Sequence, residues 1–129
     1  MGNKNKAKGT RAETSVVKFL ASEGIQAKRK ALTGSKDCGD IEVIGLAGLP
    51  VCILEVKAGK QTENPNRSQM TDWLMQAATE EANSGLPCIL VVVRYRRAIK
   101  DADVLFKWHG MYARLYLDQF CSFFKEQLG

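Results

Sequence analysis

A chain of 129 residues with 45% hydrophobic and 26% charged residues has the usage of an ordinary globular domain, which excludes a fibrous or disordered chain and leaves room for one core. Its formal charge of +5 gives it a field that attracts polyanions such as nucleic acid. No secretory h-region is read in the opening residues and the longest apolar stretch, residues 88–93, is far too short to cross a bilayer, so neither a leader nor a span is expected in this sequence.

Residues 1–9, MGNKNKAKG, hold three lysines and no apolar run; a flexible basic arm is expected there, ahead of a single domain over 10–129. Thr10 with Glu13 three residues on has capping-box spacing, Val16, Val17, Phe19 and Leu20 follow at helical period, and Gly24 stands where a glycine ends a helix. The first helix is expected over 10–23. The run IQAKRKAL alternates with period two and reads as a strand bearing Lys28 and Lys30 on one face. TGSKDCG is a turn, DIEVIG a short strand, LAGLP a hairpin turn, and VCILEVK a strand that is apolar until Glu55.

The polar stretch AGKQTENPNR is a loop, after which Ser68 opens a helix with Met70, Trp73, Leu74, Ala77 and Ala78 on one face, closed by Gly85 and Pro87. CILVVV is the continuous β-branched run of a strand covered on both sides. VLFKW and MYARLYL are strands around His109 and Gly110, and DQFCSFFKEQLG closes the chain as a short amphipathic helix capped by Asp118. The order α-β-β-β-α-β, with a β-rich tail and a short C-terminal helix, predicts an α/β fold with a mixed central sheet flanked by helices. The cysteines Cys38, Cys52, Cys88 and Cys121 lack the paired spacing of a zinc or redox motif and read as reduced small hydrophobes in a cytoplasmic protein.

Asp40 heads one strand, and Glu55 and Lys57 end the next. If the two strands pair around residues 46–50, the start of the first lies beside the end of the second, so Asp40 and Glu55 converge. Period-two geometry puts Glu55 and Lys57 on one face and turns Val56 away. Two carboxylates suit a hard divalent cation, Mg²⁺ or in its place Mn²⁺, that bridges to phosphate. An isolated E-x-K is usually a surface ion pair. Here an apolar strand ends in the charged pair opposite an aspartate, an arrangement that is costly unless the charges are paired or ligated. Glu13 has two open readings, a capping-box residue or a carboxylate turned toward the same metal.

The series GTRAE, GDIEVIG, LEVK and SQMTDWL resembles the PD-(D/E)xK nuclease superfamily, with a restriction-endonuclease-like core, and within it the Holliday-junction-resolvase-like proteins of phage or actinobacterial type. The resemblance runs from about residue 10 to 93 in the family's order of elements. It implies Asp40, Glu55 and Glu13 as acidic metal ligands, the Val56 carbonyl as a further ligand, and Lys57 as the catalytic lysine. Gln69, four residues before Trp73, resembles the glutamine and aromatic pair of RecB-like relatives; an exposed helix position is the other reading. Gly39 stands where the family has its proline. Asp37 lies in the turn before the strand, and Glu42 shares a face with Asp40.

The resemblance further implies magnesium-dependent hydrolysis of DNA that leaves a 5′-phosphate, a branched substrate, a homodimer, and a bacterial or phage-infected host cytoplasm. No small-molecule cofactor is implied. Lys28, Arg29, Lys30, Lys36, Lys60, Arg94, Arg96 and Arg97 surround the candidate site and are expected to hold DNA phosphates. Phe106, Trp108, Met111, Tyr112, Tyr116, Phe120, Phe123 and Phe124 either form a dimer face or complete the core. Flaps, forks or DNA ends are alternative substrates, and a non-cleaving DNA-binding protein on the same fold is the alternative class.

Overall fold

The computed structural model describes residues 2–30 and 40–128, with side-chain surroundings for 11–30 and 40–127. The turn predicted over 33–39, with Lys36, Asp37 and Gly39, lies outside these residues. Helix α1 (Gly2–Ser22) is followed by strands β1 (Gln26–Arg29), β2 (Ile41–Ile44) and β3 (Pro50–Lys57), helix α2 (Arg67–Ser84), strands β4 (Cys88–Val92), β5 (Asp103–Trp108) and β6 (Met111–Tyr116), and helix α3 (Leu117–Leu128).

Three predicted helix starts move, the last by one residue: α3 begins at Leu117, with Asp118, expected as its cap, inside its first turn. Helix α1 begins at Gly2, so residues 2–9, expected as a flexible arm, belong to it; they contain no proline, and a helix nucleated by the packed residues behind them extends at little cost per residue. Thr10 is therefore inside the helix, not at its cap, which removes the capping-box role for Glu13. In α2 the cap is Asn66 rather than Ser68: its Oδ1 accepts the Gln69 backbone N–H at 2.8 Å. Gly24 takes φ 79°, the left-handed turn that ends α1, and lets Ile25 N–H reach back to Leu20 C=O at 2.8 Å.

The strands form one sheet in the order β1-β2-β3-β4-β5-β6. Neighbours are antiparallel except β3 and β4, which are parallel because α2 supplies the long crossover that a parallel pair requires. On one face, Val16 and Leu20 of α1 and Leu117, Phe120 and Cys121 of α3 pack on Ile41, Val43, Leu54 and Val91. On the other, Trp73 of α2 packs on Leu90 and Val92, joined by Met70, Leu74 and Leu105. This is the mixed, helix-flanked α/β sheet that the order of elements predicts.

The tail completes the core in part. Phe106 and Phe120 are buried, with Phe123 and Phe124 packed against them, whereas Trp108, Met111, Tyr112 and Tyr116 are 42% to 72% exposed along the outer hairpin. Among the described residues no helix is long and apolar enough to cross a membrane.

Candidate active site

Register decides what meets what. Ile41 pairs with Leu54 and Val43 with Cys52, all four facing the α1 side. One step back along β2, Asp40 lies opposite Glu55, and alternation turns both, together with Lys57, toward the α2 side. The Asp40 N–H donates to Leu54 C=O at 3.1 Å, and its Oδ2 accepts the Val56 N–H at 2.8 Å, so the carboxylate continues the ladder where the backbone pairing stops. Lys57 C=O accepts from Val93 N–H on the β4 side. The Val56 carbonyl, one residue earlier in an extended strand, consequently faces the Asp40 side.

Glu55 is buried. Its Oε1 lies 3.1 Å from Lys57 Nζ and accepts from Gln76 Nε2 at 3.2 Å, while Lys57 Nζ donates to Gln76 Oε1 at 2.7 Å. One glutamine thus grips both members of the E-x-K pair. The second oxygen, Glu55 Oε2, is buried with no hydrogen-bond partner; a carboxylate oxygen left so is costly unless a cation or ordered water meets it. Burial, followed by the Glu55 charge, pushes Asp40 up to about 7; Glu13 adds to the rise, and the Val56 N–H and Lys57 oppose it. Two convergent carboxylates, one with an unpartnered buried oxygen, form a donor set suited to a divalent cation, and the residues present fit one.

Glu13 is near enough for its charge to act on Asp40, but its Oε2 is bonded by Arg29 Nε at 3.0 Å. Among the described residues no three His, Cys, Asp or Glu side chains are grouped closely enough to hold a metal, so Asp40 and Glu55 form a two-carboxylate set with Glu13 behind it. Gln69 is not brought to the pair. It lies two turns before Gln76 on α2, and its backbone N–H serves the Asn66 cap. Sequence reasoning missed Gln76, whose signal is its place three residues after Trp73, on the helix stripe that also buries Ala77 and Glu80.

The basic residues expected to hold phosphate have different commitments. Lys28 pairs with Glu42 at 3.8 Å and Arg29 with Glu13, whereas Arg94 bonds Asp103 at 2.9 Å and the Glu63 carbonyl at 3.2 Å. Arg96 takes a left-handed φ of 60° and lies over the Tyr95 ring. Arg97 and Lys60 are exposed, and Lys30 is half-buried directly after β1. The thiols are set apart from this chemistry: burial pushes Cys52 up to about 12 and Cys121 up to about 11, and the three described cysteines form no disulfide.

No protein-family model and no curated protein sequence matches the chain. A solved structure does: Archaeoglobus fulgidus Hjc, a Holliday junction resolvase from an archaeal hyperthermophile, superposes with a TM-score of 0.53 over 94% of this chain and 100% of that one, at 20% sequence identity. The chain therefore has the restriction-endonuclease-like α/β fold.

Proposed function

We propose that the protein is a metal-dependent DNA endonuclease, selective for branched DNA, with Asp40, Glu55 and Lys57 as its catalytic residues. The observation that carries this reading is the convergence of Asp40 on the buried Glu55–Lys57 pair, with Glu55 Oε2 unpartnered. The fold shared with a Holliday junction resolvase supports the branched substrate.

Asp40 and Glu55, with the Val56 carbonyl, would hold Mg²⁺ or Mn²⁺. When bound, the cation supplies an acidified water and neutralises charge on the phosphate under attack. Lys57 places its ammonium beside Glu55; bonded by Gln76, it is held where it can orient a nucleophilic water or meet charge developing on a phosphate oxygen. Gln76 is a positioning residue, fixing Lys57 and Glu55 with its two ends. Glu13 acts through Arg29 and through its charge on Asp40. The exposed cations Lys60, Arg96 and Arg97 would bind backbone phosphate without reading sequence. A junction has two strands to cut, so this reading calls for two copies of the chain.

The test is cleavage of a labelled four-way junction against linear duplex, fork and single strand of matched sequence, with Mg²⁺, Mn²⁺ or EDTA, for the wild type and Asp40→Asn. Symmetric, metal-dependent nicking of the junction that disappears in the variant is the expected result. Cutting of the other substrates alone would keep the nuclease and remove the junction. Tight binding with no cleavage of any substrate would leave a DNA-binding protein on a nuclease fold.

A further inference from the structure

The sheet register joins the candidate active site to a second polar cluster. Lys57 pairs with Val92, Val92 with Asp103, and Asp103 with Tyr116, so the four stand in one row across the sheet; the next row runs Glu55, Leu90, Leu105, Arg114. Both rows start at the catalytic pair and pass under α2, where Trp73 covers Leu90 and Val92. They emerge beyond it at Asp103, Arg114 and Tyr116. Three strand spacings separate Lys57 from Tyr116, about 14 Å.

At that far end Asp103 is buried and takes two guanidiniums. Arg94 Nη1 bonds its Oδ2 at 2.9 Å, and Arg114 bonds its Oδ1 through Nε at 2.9 Å and Nη2 at 2.6 Å. Two cations on one carboxylate leave a net positive charge, and the carboxylate fixes both guanidiniums in place. Arg114 is 59% exposed, and among the described residues its Nη1 edge is uncommitted. These groups line a polar recess of about 370 Å³ with Arg97, Asp101 and Tyr116. Arg97 has no ion pair among the described residues, and Asp101 is paired with Lys100 at 3.4 Å. Guanidiniums held in advance by a buried acceptor lose little freedom on meeting a phosphate, and the planar fork matches its oxygens.

We infer that Arg97 and Arg114, with Arg114 oriented by Asp103, form a clamp for a DNA backbone phosphate about 14 Å from the catalytic lysine. Phosphates of one strand both rise along the helix axis and wind around it, so a separation of this size places the clamped group only a few nucleotides from the scissile one. The inference rests on the nuclease reading for its substrate. It supplies a contact that sets where along the strand the scissile phosphate falls.

The experiment is fluorescence anisotropy of a labelled four-way junction in EDTA over a series of KCl concentrations, for wild type, Arg97→Ala, Arg114→Gln and, as an equal charge loss at the other end of β5, Lys107→Ala. Metal-dependent cleavage by the wild type is read in parallel. The expected result is that Arg97→Ala and Arg114→Gln each weaken binding about tenfold and flatten the slope of log K against log salt by about one, while Lys107→Ala does neither. Among the described residues the Arg97 side chain makes no ion pair, and its turn bond to the Arg94 carbonyl is made by the backbone N–H, which alanine keeps, so its variant decides the matter even where Arg114→Gln unfolds. Affinity and slope unchanged in Arg97→Ala, beside a cleaving wild type, overturn the clamp and leave the nuclease standing. A flattened slope beside a wild type that cuts nothing with any metal supports the clamp and removes the nuclease.

Discussion

Gln76 ties the two functional ends of the E-x-K pair, accepting from Lys57 Nζ and donating to Glu55 Oε1. Replacing it with alanine removes both bonds and leaves the ammonium and carboxylate to find their own geometry. Positioning partners of this kind typically contribute one to two orders of magnitude. Gln76→Ala is expected to lower kcat by about 10- to 100-fold while junction affinity in EDTA stays at the wild-type value. Single-turnover cleavage and anisotropy measured on the same preparation check it; equal losses of affinity and rate would mean that α2 had shifted, not that a positioning contact was lost.

Helix α2 carries Gln76, and two contacts set its place. Asn66 closes its first turn by accepting the Gln69 N–H, and Trp73, 4% exposed, seats it on Leu90 and Val92. Asn66→Ala is expected to cost about 1 kcal/mol. Trp73→Ala, which opens a cavity between helix and sheet, should cost about 3–5 kcal/mol. Urea unfolding checks both, and an unchanged slope against denaturant would confirm that the loss is in stability rather than in the extent of unfolding. Trp73 was legible in the sequence as the large apolar residue of a helical stripe. Gln76 was not singled out, because a polar residue on such a stripe acquires meaning only when the partner beneath it is known.

For the whole molecule, the raised Asp40 makes folding and metal binding depend on pH. The unfolded chain holds this carboxyl near 3.8 and the folded one near 7, so between those values the folded state binds more protons. The stability it contributes is full below the unfolded value and is lost as pH rises through the folded one. Without metal the protein should therefore weaken between about pH 4 and pH 7, by on the order of 1–3 kcal/mol once partial solvent screening is allowed for. Asp40→Asn, whose amide oxygen can still accept from Val56, should flatten that dependence. A cation that binds the ionised pair should reverse it, raising Tm by about 10 °C at about 100 times Kd above neutral pH in the wild type and not in the variant. Differential scanning calorimetry across pH, with and without Mn²⁺, measures both; a wild-type Tm indifferent to Mn²⁺ would remove the metal from the proposal.

Much of this was written in the order of residues. Alternation and turn chemistry place β2, β3 and the hairpin between them, and a strand ending in Glu55-Val56-Lys57 opposite Asp40 follows from those local patterns together with antiparallel pairing. Local sequence could not say that α1 starts at Gly2, because helix extension draws on the packing of residues further along. Nor could it distinguish Gln76 from Gln69, since the choice depends on how far α2 slides along the sheet. The row from Lys57 to Tyr116 joins residues 59 positions apart. Strand identity belongs to short-range periodicity, which a sequence displays directly. Which strands lie side by side, and in what register, is decided when the helices cover the two faces of the sheet, and on that depends the company each charged side chain keeps.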